Sequence, residues 1–226
     1  MADSPAPPSP RPVIGVVTVA REFGSGGSDL AHALGRRLGW RVVDKEVVAR
    51  VARELEVPER EVAVRDEHVP GLAERVGAFL AGAFAEVTPP VVPPTRLDER
   101  EVAEVADAIL MEAAARPPVI LVGHGGMCLL SGREDVLHLR VVAPLEYRVG
   151  EVCRRLRMDG ARAREEIRAR DRDRAHYIRH RFQTAWEDPA LYALVVNSAE
   201  VGPEDGARAV EAMLAGRVSP PAPRPG

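Results

Sequence analysis

The stretch Ala20-Arg21-Glu22-Phe23-Gly24-Ser25-Gly26-Gly27-Ser28-Asp29 has the make-up of an anion cradle. Its glycines let the backbone wrap and turn N–H groups toward a phosphate, and a helix opening beside it adds the positive end of its dipole. Laid on the Walker pattern G-x-x-x-x-G-K-[ST], Gly26 is the second glycine and Ser28 the hydroxyl, while Gly27 stands at the lysine and Arg21 at the first glycine. The dinucleotide fingerprint G-x-G-x-x-G is the rival. It takes Gly24 and Gly26, and Asp44 lies 20 residues beyond Gly24, but its third glycine position holds Asp29. A plain strand-to-helix turn is the third reading. The phosphate loop leads, which makes Gly24, Ser25, Gly26, Gly27 and Ser28 the candidate phosphate-binding residues. Ser28 sits where such loops present a hydroxyl to Mg²⁺; the alternative is a serine capping the helix. Asp29, in the first helical turn, reads as structural.

Phosphoryl transfer needs its oxygens neutralised more than it needs a covalent catalyst. With no loop lysine, and Lys45 the only lysine in the chain, arginines must supply the charge. Arg21 lies on the loop, and its forked guanidinium can bridge phosphate oxygens; the alternative is a surface arginine paired with Glu22. Residues 148–181 hold twelve arginines against six acids, so that with a whole-chain charge of −3 the remainder carries −9. Glu166 and Arg170 can pair at i,i+4, as on a solvated helix. The uncancelled excess instead favours an arginine lid over residues 160–186 that closes on phosphates, with Arg170 and Arg174 on one face. Arg174→Ala is then expected to slow turnover about a hundredfold or more, and a lysine restored at Gly27 to recover part of the loss if the loop can still close around a side chain. Valine at Gly26 or Gly27 is expected to abolish nucleotide binding and leave the fold intact. His124 follows Gly123 at the end of a predicted strand, where open α/β sheets bind ligands.

These residues need a frame. Apolar runs predict strands at 13–19, 40–43, 119–122, 136–142 and 194–196. Between them lie helical patterns: one carrying Leu30, Ala33, Leu34 and Leu38 and stopped by Gly39, then 45–55, 98–115, 144–157, 163–181 and 203–214. Such alternation implies a parallel sheet covered on both faces, an α/β/α domain spanning 13–215. Segment 58–97 breaks the rhythm and reads as an insertion; the proline-rich tails 1–12 and 216–226 read as disordered. Composition is that of a soluble globule, 46% hydrophobic and 29% charged. No run approaches the roughly 20 apolar residues of a membrane helix, and nothing predicts export. Cys128 and Cys153 suit neither a disulfide framework nor a metal site and read as inert thiols in the cytoplasm. The net charge argues against nucleic acid as a partner, and a homodimer stays open. Tyr177, Phe182 and Trp186 read as core or interface.

The opening, Arg21-Glu22-Phe23-Gly24-Ser25-Gly26-Gly27 followed by 38–46, resembles that of cytidylate-kinase-like proteins. Gly123-His124-Gly125-Gly126, Ala143-Pro144-Leu145-Glu146-Tyr147-Arg148 and the Arg/Asp alternation of 167–174 resemble them too, over roughly residues 13–215. The resemblance implies a P-loop kinase fold with a five-stranded parallel sheet in the order 2-3-1-4-5 and the first strand central. It implies transfer of the ATP γ-phosphoryl, with Mg²⁺, to a nucleoside monophosphate, CMP or dCMP first. It places Asp44 near the acceptor and gives Arg170, Asp171 and Arg174 to acceptor recognition. His124 stands where most relatives carry arginine, and the missing loop lysine is typical of the subfamily. A catalytically weak nucleotide-binding protein, or a kinase of a non-nucleotide acceptor, are the alternatives on the same fold.

Overall fold

The computed structural model describes residues 12–44 and 99–217. The predicted helix 45–55, the insertion 58–97 and nearly all of both tails lie outside the described residues.

β1 (Val16–Arg21) is the centre of a five-stranded sheet in the order β2-β3-β1-β4-β5. The other strands are β2 (Arg41–Val43), β3 (Val119–Val122), β4 (Val136–Val142) and β5 (Leu194–Asn197). Every pairing is parallel, with Val16 opposite both Val119 and Val136 and Arg21 opposite Val141. β3 is buried at all four positions, as an apolar strand covered on both faces must be.

Successive strand residues face opposite sides, and the two layers follow from that alternation. Val17 and Val19 of β1, with Leu137, Leu139 and Val141 of β4, pack under α1 (Gly27–Leu38). Val16, Val119 and Leu121 point the other way, against α2 (Glu99–Ala114). Leu30, Ala33 and Leu34 are buried from α1 as their spacing predicts, and Gly39 ends the helix in a left-handed turn. Full burial of a side chain such as Leu34 stabilises by about 1.5–3 kcal/mol.

The remaining helices reach the carboxyl edge of the sheet. They are the short α3 (Gly126–Leu129), α4 (Leu145–Leu156), α5 (Gly160–Phe182) and α6 (Ser198–Leu214). α5 starts three residues before its predicted onset, because Asp159 accepts from the Arg162 N–H at 3.0 Å and caps it. α6 opens before Pro203 for a similar reason: Asn197 accepts from the Ala199 N–H, and Gly202 then kinks the chain. Tyr177, Phe182 and Trp186 gather in one apolar cluster with Met127 and Ile178. Among the described residues no helix is long and apolar enough to cross a membrane.

Candidate functional site: a phosphate loop clasped by an arginine helix

β1 ends at Arg21, and residues 22–26 lead into α1. Gly26 caps α1 from the left-handed region at φ 74°, and no side chain caps it. The opening N–H groups of a helix have no partner within it, so this end offers donors to an anion. Gly24 is also left-handed, at φ 82°. Ser25, read as a phosphate contact, spends its donors inside the protein. Its hydroxyl donates to the Val141 carbonyl at 3.2 Å and its N–H to the Glu22 carbonyl at 3.2 Å. Ser198 in turn donates to the Ser25 carbonyl, so the loop is braced from both β4 and α6. Ser28 is the second residue of α1, and the cap position belongs to Gly26, which removes the capping-serine alternative. Asp29 pairs with Arg155 of α4, a structural role.

Arg21 is partnered differently from the surface pairing with Glu22. Its guanidinium lies 3.7 Å from the Asp44 carboxylate at the end of β2, both side chains being largely buried. Its stem covers Gly27: a Cβ built there would lie 2.4 Å from Arg21 Cβ. Two sequence expectations fall with that distance. Lysine at Gly27 cannot simply restore charge, and valine there would press on Arg21 and not leave the fold intact. At Gly26 space is open, with Pro203 Cγ 3.5 Å away, and the obstacle is the backbone conformation.

Glu22 binds elsewhere. Its carboxylate accepts from the Ala143 N–H at 3.1 Å and lies 3.5 Å from Arg140 and from Arg148. Arg140 is buried on β4, 4.8 Å above the Trp186 ring, and donates to the Trp186 carbonyl. The Tyr192 hydroxyl donates to that same carbonyl at 2.6 Å; burial pushes its pKa up, so it stays protonated as a donor. Glu22, Arg140 and Arg148 had not been singled out from sequence. The one available signal was the position of Ala143 and Arg148 in the motif opening α4.

α5 clasps the loop directly. Asp171 accepts from the Phe23 N–H at 2.9 Å and pairs with Arg148 at 2.5 Å. Arg174 donates to the Arg21 carbonyl at 2.9 Å and lies 3.6 Å from Asp171. Arg170 stacks 4.7 Å over the Phe23 ring and bonds Glu166 at 2.6 Å, the i,i+4 pair read from sequence. Arg21, Asp44, Asp171 and Arg174 are therefore brought together at the loop, with Arg170 on its outer side. His124 is buried in the adjacent turn after β3, at φ 52°, and Gly123 donates to the Val19 carbonyl beside it. The crevice between the ends of β1 and β3 is lined by Thr18, Arg21, Gly123, Met127, Arg174 and Trp186, and only about 10 Å³ of it is open.

A parallel sheet with this strand order and a glycine turn feeding a buried helix define a P-loop kinase fold. The cytidylate kinase-like family model matches residues 16–200, and the chain belongs to that family of nucleotide kinases. A cytidylate kinase of Ignicoccus hospitalis is 28% identical over 201 residues, covering 88% of this chain and 98% of the relative. Among solved structures, an uncharacterized protein from Eubacterium ventriosum superposes with a TM-score of 0.65 at 15% identity, over 90% of this chain and 99% of the other. A shikimate kinase from Acinetobacter baumannii, in complex with shikimate, gives 0.50 at 12% identity over 90% and 94%. These two likenesses concern the fold.

Proposed function

We propose that the protein transfers the γ-phosphoryl group of ATP to a nucleoside monophosphate, with CMP and dCMP as the leading acceptors. The observation that carries this reading is the convergence on one glycine loop of uncapped helix N–H groups, Arg21 and Arg174. The 28% identity to a cytidylate kinase supports the choice of acceptor.

The loop suits a triphosphate chemically. The N–H groups opening α1 hold phosphate oxygens, and Arg21 adds a fork of positive charge between the loop and Asp44. Mg²⁺ would come bound mainly by the nucleotide's phosphates, with the Ser28 hydroxyl as the loop's contribution. When bound it would neutralise charge on the β- and γ-phosphates. Arg174 bonds the loop backbone, and its charge would offset charge developing on the transferred group. Arg174 and Trp186 line the β1/β3 crevice, so an acceptor entering there would meet both.

A coupled ADP-release assay over a panel of nucleoside monophosphates, with and without Mg²⁺, tests the reading. Release that requires Mg²⁺ and CMP or dCMP supports it. Release indifferent to the acceptor would overturn it in favour of a weak nucleotide-binding protein.

A further inference from the structure

Set on the Walker pattern, the chain shows two departures: an arginine at the first glycine and a glycine at the lysine. The structure makes them one event. A Cβ at Gly27 would meet Arg21 Cβ at 2.4 Å, Arg21 Cγ at 3.1 Å and Val141 Cβ at 3.3 Å. The first of these is closer than real side chains approach, and the obstacle is the base of a stem, which cannot swing aside without moving the strand. The space in which a residue-27 side chain would begin is thus filled by Arg21. From there the arginine runs to Asp44 at the end of β2. β3 separates β2 from β1, so the Arg21–Asp44 pair reaches across the end of β3.

We infer that the loop's positive charge has been transposed from residue 27 to residue 21. Arg21 takes the place of the loop lysine beside the phosphates of a bound nucleoside triphosphate, and residue 27 is glycine because the arginine stem passes over it. This rests on reading the loop as a nucleotide site, not on which acceptor is used. The transposition changes the chemistry. A lysine is a point charge on a flexible stem, whereas a guanidinium offers two parallel donors in a fixed plane. Asp44 lies 3.7 Å from that guanidinium in the resting protein, so Arg21 is paired at the end of β2 beside the loop. The competing account makes Gly27 a packing glycine and Arg21 only a structural partner of Asp44.

A stability cycle and a binding series separate the accounts. Gly27→Ala should lower the melting temperature of the free protein by about 5 °C, and in an Arg21→Gly background the same change should cost little. Binding is measured with Mg-ATP and with tripolyphosphate alone. Arg21→Met, which keeps the stem and removes the charge, should weaken both roughly a hundredfold, using the range for charged groups bonded to phosphate. Arg21→Gly/Gly27→Lys, the Walker arrangement restored, should regain at least tenfold over Arg21→Gly. Additive effects at 21 and 27, or tripolyphosphate affinity unchanged in Arg21→Met, would overturn the transposition alone. A wild-type protein that binds neither probe would overturn the nucleotide reading itself.

Discussion

Asp171 accepts a hydrogen bond from the backbone N–H of Phe23 at 2.9 Å, fastening the middle of α5 to the phosphate loop. The same carboxylate pairs with Arg148, whose guanidinium reaches the Phe23 carbonyl at 3.4 Å. The backbone N–H and carbonyl of one loop residue, Phe23, are thus both held. Asp171→Ala removes a bond to a charged acceptor, a loss of about 1.5–3 kcal/mol. The melting temperature should fall by several degrees, and hydrogen exchange at the Phe23 amide should accelerate. An amide as protected as in the wild type would show that the grip does not hold the loop.

Arg174 joins α5 to the Arg21 carbonyl and lies 5.7 Å over the Trp186 ring. Its loss removes a cation and a strut together. Arg174→Ala should lower kcat by about a hundredfold or more, with the roughly 10³–10⁵ effect of arginines at transferred phosphoryl groups as the upper guide. Arg174→Lys should recover little, because an ammonium cannot form the planar contact with Trp186 and the carbonyl bond at once. Steady-state kinetics with the preferred acceptor decides it, and unchanged turnover in Arg174→Ala would leave α5 a structural clasp only.

Gly125, at φ 67°, lies where α5 ends: a Cβ there would meet Phe182 Cε2 at 2.7 Å and Ile178 Cδ1 at 3.2 Å. Gly125→Ala combines a left-handed backbone with overpacking, a destabilisation of about 2–4 kcal/mol. Urea unfolding should show a lower midpoint with an unchanged slope. Truncating Phe182 to Leu in the same chain should return part of the loss.

Thr18 and His138 meet across β1 and β4, Thr18 Oγ1 being 2.7 Å from His138 Nδ1. Burial lowers the pKa of His138 below its ordinary value. Unfolding releases that restraint, so below the ordinary histidine pKa of about 6.5 the unfolded chain binds a proton that the folded one refuses. Stability should therefore be full above that pH and fall as the pH drops toward the folded pKa. Melting curves between pH 7 and pH 5 should show this slope, and His138→Gln should flatten it.

Much of the frame was legible along the chain. The β-branched run of β1, the stripe of Leu30, Ala33 and Leu34, and Gly39 after α1 are local signals, and each element appears where its pattern lies. Boundaries moved where a single side chain decided them, as with Asp159 before α5 and Asn197 before α6. The glycine loop was legible because its conformation demands particular residues in a fixed spacing.

Long-range charge partners were not. Arg21 and Glu22 are neighbours in sequence, and a pairing between them was the natural alternative. Consecutive residues at a strand end diverge to opposite faces. Arg21 accordingly turns over Gly27 to Asp44, and Glu22 turns to Arg140, Arg148 and the Ala143 N–H. Local patterns alone carried an α/β alternation, a glycine turn after the first strand and an arginine-rich helix late in the chain. The strand order followed from the family resemblance, but which carbonyls the arginines of α5 reach, and why residue 27 has no side chain, emerge only once the chain is folded. Those contacts join residues far apart in the chain, and the sheet order that brings them together appears in no local spacing.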